Sequence, residues 1–310
     1  MTDIQDKIRE LRRLIEASGI DAADEVARLE QKLKDGSDLE KVWRQVELAR
    51  HPDRPYPLDY IERIFDGFIE LHGDRAYADD PAVVGGIGFL AGRPVTVIAQ
   101  QKGRTLKENV RRNHGMANPE GYRKSLRLAR AAEKFRRPIV TFIDTSGAYP
   151  GIGSEERGVA QAIALSLRDF SQLLTPVVCV IVGEGGSGGA LAVCIGDRIH
   201  MLENAICSVI SPEGCASILL RDATKAKEAA RMLKITSADL AAFRMISGVI
   251  PEPEGGAHLD PDGMAAAIKE ILVKDLDELC GKKPEVLVRR RNHRIWKLGQ
   301  WIEEGPASEE

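Results

Sequence analysis

The chain reads as an α/β protein with a mainly parallel sheet behind a helical extension, and three observations carry that reading. Beyond Pro57, short apolar runs rich in Val and Ile alternate with helix-patterned segments, the signature of strands joined by crossover helices. Two of those runs end in dense glycine clusters. The first fifty residues instead carry helical spacing and stop at a proline-rich stretch.

In chain order, Ile4, Ile8, Leu11 and Ile15 recur at spacings of four, three and four, and Val26, Leu29 and Leu33 continue after Ser18-Gly19. Residues 1–50 are therefore expected to form a helical hairpin, charged on its outer faces, that serves packing or assembly. The segment His51-Pro52-Asp53-Arg54-Pro55-Tyr56-Pro57 ends it, because repeated prolines forbid a continuing helix. Residues 51–285 form the expected core. Its strand-like runs are Val83 to Leu90, Pro94 to Gln100, Ile139 to Ile143, Val177 to Val182 and Ser208 to Ile210. Tyr122 to Phe135, Glu155 to Phe170, Gly188 to Ile195 and Met264 to Leu279 read as helices. Residues 286–310, from Arg289-Arg290-Arg291 to Ala307-Ser308-Glu309-Glu310, read as a charged tail: a solvated helix and a frayed end.

Composition narrows the function. The 310 residues include 44 basic and 47 acidic side chains, a net charge of −3, with 43% hydrophobic residues. That balance excludes a disordered tail protein, a collagen and a generally basic nucleic-acid binder. Aromatic residues make up only 5% while glycines number 29, which points to recognition by backbone groups. Cys179, Cys194, Cys207, Cys215 and Cys280 contain no C-x-x-C pair, so no zinc site or disulfide framework is legible, and Cys179 and Cys194 read as small buried hydrophobes. The start, MTDIQDKIRELRRL, lacks an apolar signal region and no run is long enough to span a bilayer, so a cytoplasmic protein without a membrane partner is expected.

The first glycine loop, Asp144-Thr145-Ser146-Gly147-Ala148-Tyr149-Pro150-Gly151-Ile152-Gly153, follows the strand Ile139 to Ile143. The second, Gly183-Glu184-Gly185-Gly186-Ser187-Gly188-Gly189-Ala190, follows Val177 to Val182. Both place backbone N–H groups at strand ends and helix starts, where they face a ligand and can hold an oxyanion between them. The second loop fits three patterns. Gly183-x-Gly185-x-x-Gly188, with Glu203 downstream, fits a dinucleotide fingerprint, although Gly196-Asp197 cut its helix short. Gly185-x-Ser187-x-Gly189 fits a hydrolase nucleophile elbow, with Asp239 or Asp260 and His258 or His293 available for a triad. The third pattern is an oxyanion hole from the N–H groups of Gly188, Gly189 or Ala190, compatible with a plain close contact between helix and sheet.

Longer strings decide among them. Arg50-His51-Pro52 with Arg54-Pro55-Tyr56, Gly73-Asp74-Arg75-Ala76-Tyr77-Ala78-Asp79-Asp80, Val84-Gly85-Gly86-Ile87 and Gln101-Lys102-Gly103-Arg104 come first. Pro119-Glu120-Gly121-Tyr122-Arg123-Lys124, Gly147-Ala148-Tyr149-Pro150-Gly151, Gly183 to Ala190 and Ser211 to Leu219 follow in order. Together they resemble the α-subunit family of bacterial acetyl-CoA carboxylase carboxyltransferases. One departure is visible, Ser146 standing where that family usually has proline. Losing a fixed φ loosens the loop slightly while Gly147 is kept.

The resemblance implies a crotonase-like fold of repeated ββα units with two roughly perpendicular sheets. It implies transfer of a carboxyl group from carboxybiotin, on the biotin carboxyl carrier protein, to acetyl-CoA, giving malonyl-CoA for fatty acid biosynthesis. Implied partners are a β subunit in an α2β2 assembly, the carrier protein and biotin carboxylase. No metal is expected in this chain, zinc belonging to the β subunit. By the same resemblance Gly188 and Gly189 form the oxyanion hole for carboxybiotin, with Gly147 and Ala148 as the opposite wall and Ala190 beside them. No protein base is needed if the biotin enolate takes the acetyl proton. Lys102, Arg104, Lys107, Arg111 and Arg112 either meet coenzyme A phosphates or form a solvated face, and Arg157 either binds the transferred carboxylate or is a surface residue. Two other classes stand beside this reading: a stand-alone crotonase-type hydratase or isomerase with Glu184 or Glu203 as its catalytic glutamate, and a purely structural subunit.

Overall fold

The computed structural model describes residues 23–299, with side chains from Gly36 onward. Among the described residues, those from Ala23 to Arg44 group with Pro212–Met232 in one compact unit, and Gln45–Ser211 with 233–299 form the other. The helix Ala23–Ala49 begins in the first unit. There Lys227 Nζ sits 2.8 and 3.0 Å from the Glu40 carboxylate oxygens. The expected helix around Ile4 to Ile15 and the acidic end Ala307 to Glu310 lie outside the described residues.

In the larger unit the prolines act as read from sequence. The long helix ends at Ala49, and Pro57 occupies the first turn of the helix Pro57–Ile64, where its missing N–H costs nothing. Eight strands follow: β1 (Asp66–Glu70), β2 (Val83–Leu90), β3 (Arg93–Gln100), β4 (Ile139–Thr145), β5 (Val177–Gly186), β6 (Arg198–Leu202), β7 (Ile206–Ser208) and β8 (Gly248–Ile250). Their order is β1-β2-β3-β4-β5-β6-β8, with β7 paired to β5. β1, β2 and β3 pair antiparallel, the β2–β3 hairpin turning on Ala91 (φ 49°) and Gly92 (φ 78°). From β3 to β8 every pair is parallel, as the alternating sequence requires.

β4 is buried along its whole length, which explains its unbroken apolar run. The helix Pro119–Lys134 packs on β2 and β3 and against Val159–Gln172, while Pro261–Cys280 packs on Pro57–Ile64 and β5. Fully buried Phe142 stacks with Tyr60 at 6.2 Å and meets Phe65 edge-on at 6.2 Å. Burying such a ring contributes about 2–3 kcal/mol.

The sheet branches at β5, whose last three residues pair with β7, beyond the stretch where β5 pairs with β6. One expectation needs correction: the charged tail is not simply solvated. Its helix, Pro284–Trp296, carries Arg291, which is 1% exposed. Arg291 donates to the carbonyls of Phe170, Leu173 and Thr175 and pairs with Asp197 at 2.7 Å, because those carbonyls lie where the helix Val159–Gln172 ends and the chain turns into β5, beyond the reach of the helix's own N–H groups.

Candidate active site

Both glycine loops emerge where β4 and β5 end. In the first, Thr145 Oγ1 accepts the Gly147 N–H at 3.1 Å and donates to the Gly147 carbonyl at 2.8 Å, folding the chain back tightly. Ala148 then bridges to Ala117, and Tyr149 N–H donates to the Ala117 carbonyl at 3.0 Å. The helix expected over Glu155 to Phe170 is broken into Ile152–Glu156 and Val159–Gln172, with Gly158 at φ 78° between them.

The second loop bends straight into the short helix Ser187–Leu191, ending sooner than the sequence suggested. Gln100 Nε2 donates to the Gly189 carbonyl at 2.6 Å from the end of β3. A Cβ on Gly189 would lie 2.5 Å from the Gly147 carbonyl carbon and 2.6 Å from Ala148 N, and one on Gly186 would overlap the Ser146 carbonyl. The two loops thus touch backbone to backbone, which only glycine allows. A Cβ on Gly188 meets nothing closer than Ile163 at 3.6 Å, so that face is open. The N–H groups of Gly188 and Gly189 precede the first helical acceptor and find none elsewhere among the described residues. Ala190, beside them, is 3% exposed.

The structure therefore brings Gly147, Ala148, Gly188, Gly189 and Ala190 together, and it gives the charged candidates internal partners. Lys102 Nζ lies 2.8 Å from both Asp144 Oδ1 and Glu184 Oε2. Burial opposes its charge, but those carboxylates outweigh burial and hold the ammonium pKa above its ordinary value. Arg104 pairs with Asp59, lies over the Tyr56 ring at 4.2 Å and donates to the Pro52 and Arg54 carbonyls. Arg157 Nε pairs with Glu120 at 2.5 Å, and its guanidinium covers the Tyr77 ring at 5.0 Å. Arg112 pairs with Glu108 at 3.1 Å, while Lys107 and Arg111 stay exposed on a helix, Leu106–Arg111, that buries none of its residues.

The competing chemistries lack their groups. Ser187 has the strained φ of 54° and the exposure of an elbow serine, yet no histidine bonds its Oγ among the described residues. Asp239 and Asp260 cap helices, and His258 is stacked on His51 at 3.9 Å. Both Glu184 carboxylate oxygens are taken up by Lys102 and Arg50 at 2.8 Å; burial raises its pKa, but those two cations more than reverse this and hold it below the usual carboxylate value. Glu203 accepts the Glu252 N–H at 3.0 Å. What sequence reasoning missed is this ion network; its partners are far apart in the chain, Lys102 and Glu184 by 82 residues.

Comparison with known proteins places the chain in a family. The chain matches the family described as acetyl co-enzyme A carboxylase carboxyltransferase-like over residues 1–299. It is 59% identical over 296 residues to the acetyl-coenzyme A carboxylase carboxyl transferase subunit alpha of Treponema denticola, covering 96% of this chain and 97% of that one. Identity to a subunit alpha of Thermus thermophilus is 51% over 301 residues, covering 96% of each chain. Among solved structures, transcarboxylase 12S with methylmalonyl-coenzyme A bound superposes with a TM-score of 0.59 at 19% identity, over 80% of this chain and 43% of that one. A Pseudomonas malonate decarboxylase hetero-tetramer in complex with coenzyme A gives 0.58 at 16% identity, over 69% and 85%. At such identities these structures speak to fold alone, and the fold they share with this chain is the crotonase-like one. Near-full-length identity above half, together with the family match, shows that the chain belongs to the acetyl-CoA carboxylase carboxyltransferase α-subunit family and is a carboxyltransferase subunit.

Proposed function

We propose that this chain supplies the half of the active site that receives carboxybiotin, presented by a carrier protein, and that a zinc-containing β subunit supplies the half that holds acetyl-CoA. The observation that carries the reading is the pair of N–H groups on Gly188 and Gly189 that have no acceptor among the described residues, at the point where the second loop meets the Gly147-Ala148 wall. As the carboxyl group leaves, charge gathers on the ureido oxygen, and these two donors stabilise it without reorganising. An oxyanion hole of this kind lowers the barrier by roughly 3–4 kcal/mol per donor. The acids at the strand ends, Asp144 and Glu184, are already ion-paired to Lys102, which fits proton transfer from the acetyl group to biotin itself. The α2β2 assembly, biotin carboxylase as the source of the carboxyl group, a place at the start of fatty acid synthesis and cytoplasmic location belong to the same proposal.

The test is carboxyl transfer in reverse, from malonyl-CoA to a free biotin derivative, with this chain alone and after adding a β subunit. Acetyl-CoA formed only in the mixture supports the reading. Enoyl-CoA hydration by the chain alone would overturn it in favour of a hydratase.

A further inference from the structure

We propose that Lys102 is a positioning residue: by bridging Asp144 and Glu184 it fixes the spacing between the two glycine loops, a role that rests on the carboxyltransferase reading of those loops. The need arises from the β4–β5 ladder. Between the pairs Ile143↔Ile181 and Thr145↔Gly185, β4 has the single residue Asp144, whereas β5 has Val182, Gly183 and Glu184. Backbone pairing is interrupted there and resumes only at Thr145↔Gly185, where both loops leave the sheet, so other bonds are needed to hold the irregular stretch at a fixed spacing.

Side chains supply it. Asp144 Oδ1 accepts the Glu184 N–H at 3.0 Å. The Asp144 carboxyl fills the space where Gly183 would carry a side chain, its Cγ 2.7 Å from an ideal Cβ. The Val182 carbonyl accepts from Arg54 Nε at 2.7 Å, and Arg54 is itself held by Glu252. Lys102, arriving from the end of β3, closes the arrangement with 2.8 Å contacts to both carboxylates, and Arg50 Nε takes the other Glu184 oxygen at 2.8 Å. Arg50, Lys102, Asp144 and Glu184 form a chain of two positive and two negative groups. A substrate phosphate brought to Lys102 would have to sit beside two carboxylates, which argues against the phosphate contact that the sequence left open.

The test measures kcat and KM for malonyl-CoA in the complex with a β subunit. Misplacing reacting groups by an ångström costs about 100-fold, so Lys102→Met is expected to lower kcat by about 30-fold or more. Its KM for malonyl-CoA should stay within about threefold, as for a residue that does not bind that substrate. Adding Asp144→Asn removes the carboxylate repulsion left behind, keeps an acceptor for the Glu184 N–H, and should restore roughly tenfold of the lost kcat. A KM rise of about tenfold with kcat retained would assign Lys102 to the phosphates instead and overturn the proposal. Should Lys102→Met fail to fold or to bind β, Glu184→Gln replaces it, with kcat reduced by roughly three- to tenfold at constant KM as the expected result and wild-type kcat as the refuting one. Absence of transfer by the wild-type complex sinks the reading of the site; an active wild type matched by Lys102→Met sinks only the positioning role.

Discussion

The two glycine loops look alike in sequence and differ in what their glycines do. In the first, ideal Cβ atoms on Gly151 and Gly153 meet side chains, those of Tyr149 and Arg157, which can move aside. In the second, Gly186 and Gly189 are pressed against the backbone of Ser146, Gly147 and Ala148, which cannot. Gly188 belongs to neither class, since only Ile163 lies near it. Glycine abundance is thus three separate requirements: a pliable cover, a rigid seat, and one open position beside the donors.

The largest effect that would break this contrast lies in the seat. Gly189→Val is expected to abolish transfer and to destabilise the chain by about 3 kcal/mol or more, seen together in kinetics and urea unfolding, because overpacking against backbone finds no relief. Loss of activity at wild-type stability would mean that the contact with the first loop is not rigid. Gly188→Ala sharpens the contrast. Its methyl fits in ordinary contact, so stability should change by less than about 1 kcal/mol, while kcat falls roughly tenfold as the methyl narrows the space before the donors. Wild-type kcat would remove Gly188 from the site. A smaller effect is expected in the cover: Arg157→Ala breaks a partly exposed pair with Glu120, and such pairs contribute about 1 kcal/mol at most, so kcat and the KM for malonyl-CoA should stay within about threefold. A larger rise in that KM would instead give Arg157 the transferred carboxylate.

The smallest effect serves as a control away from both loops. Asp79 is partly buried, which raises its pKa, but Lys124, the Gly73 N–H and His72 lower it further, to about 2 from an ordinary 3.8. A carboxylate with a depressed folded pKa adds stability above its unfolded value and loses it as pH falls through the folded one. With solvent screening at 34% exposure, the contribution is on the order of 1 kcal/mol, lost between about pH 4 and pH 2. Asp79→Asn should flatten the acid limb of the stability profile by that amount and leave transfer at neutral pH unaltered.

Where a residue's role follows from its neighbours in the chain, the sequence showed it. The hairpin strand Val83–Leu90 appears with the bounds its apolar run suggests, and the strand-to-glycine-to-helix order put both loops at sheet ends. β1 and β6 escaped notice because Asp66-Gly67 and Arg198-Ile199-His200 interrupt any apolar pattern, and β8 because three residues make no pattern. The helix after the second loop ends early because Val193 and Cys194 turn to the tighter bonds Val193 N–H to Ala190 O and Cys194 N–H to Leu191 O. Charges were the least legible. Nothing local distinguishes Lys102 from exposed Lys107, or buried Arg291 from Arg289 and Arg290, because the carboxylates and carbonyls that decide their fate come from distant parts of the chain.

Arg291 also has a consequence for how the chain is made. It closes carbonyls at Phe170, Leu173 and Thr175 that precede it by 121, 118 and 116 residues. At a synthesis rate of about 5–20 residues per second, those acceptors wait roughly 6–24 s for their donor. Throughout that interval the turn into β5, the strand that carries the second glycine loop, stands unsealed and Asp197 lacks its cation. The nascent protein therefore passes through a timed window in which β5 to β8 are made while this corner of the sheet is still open to chaperones and proteases, and one arginine brings that window to an end.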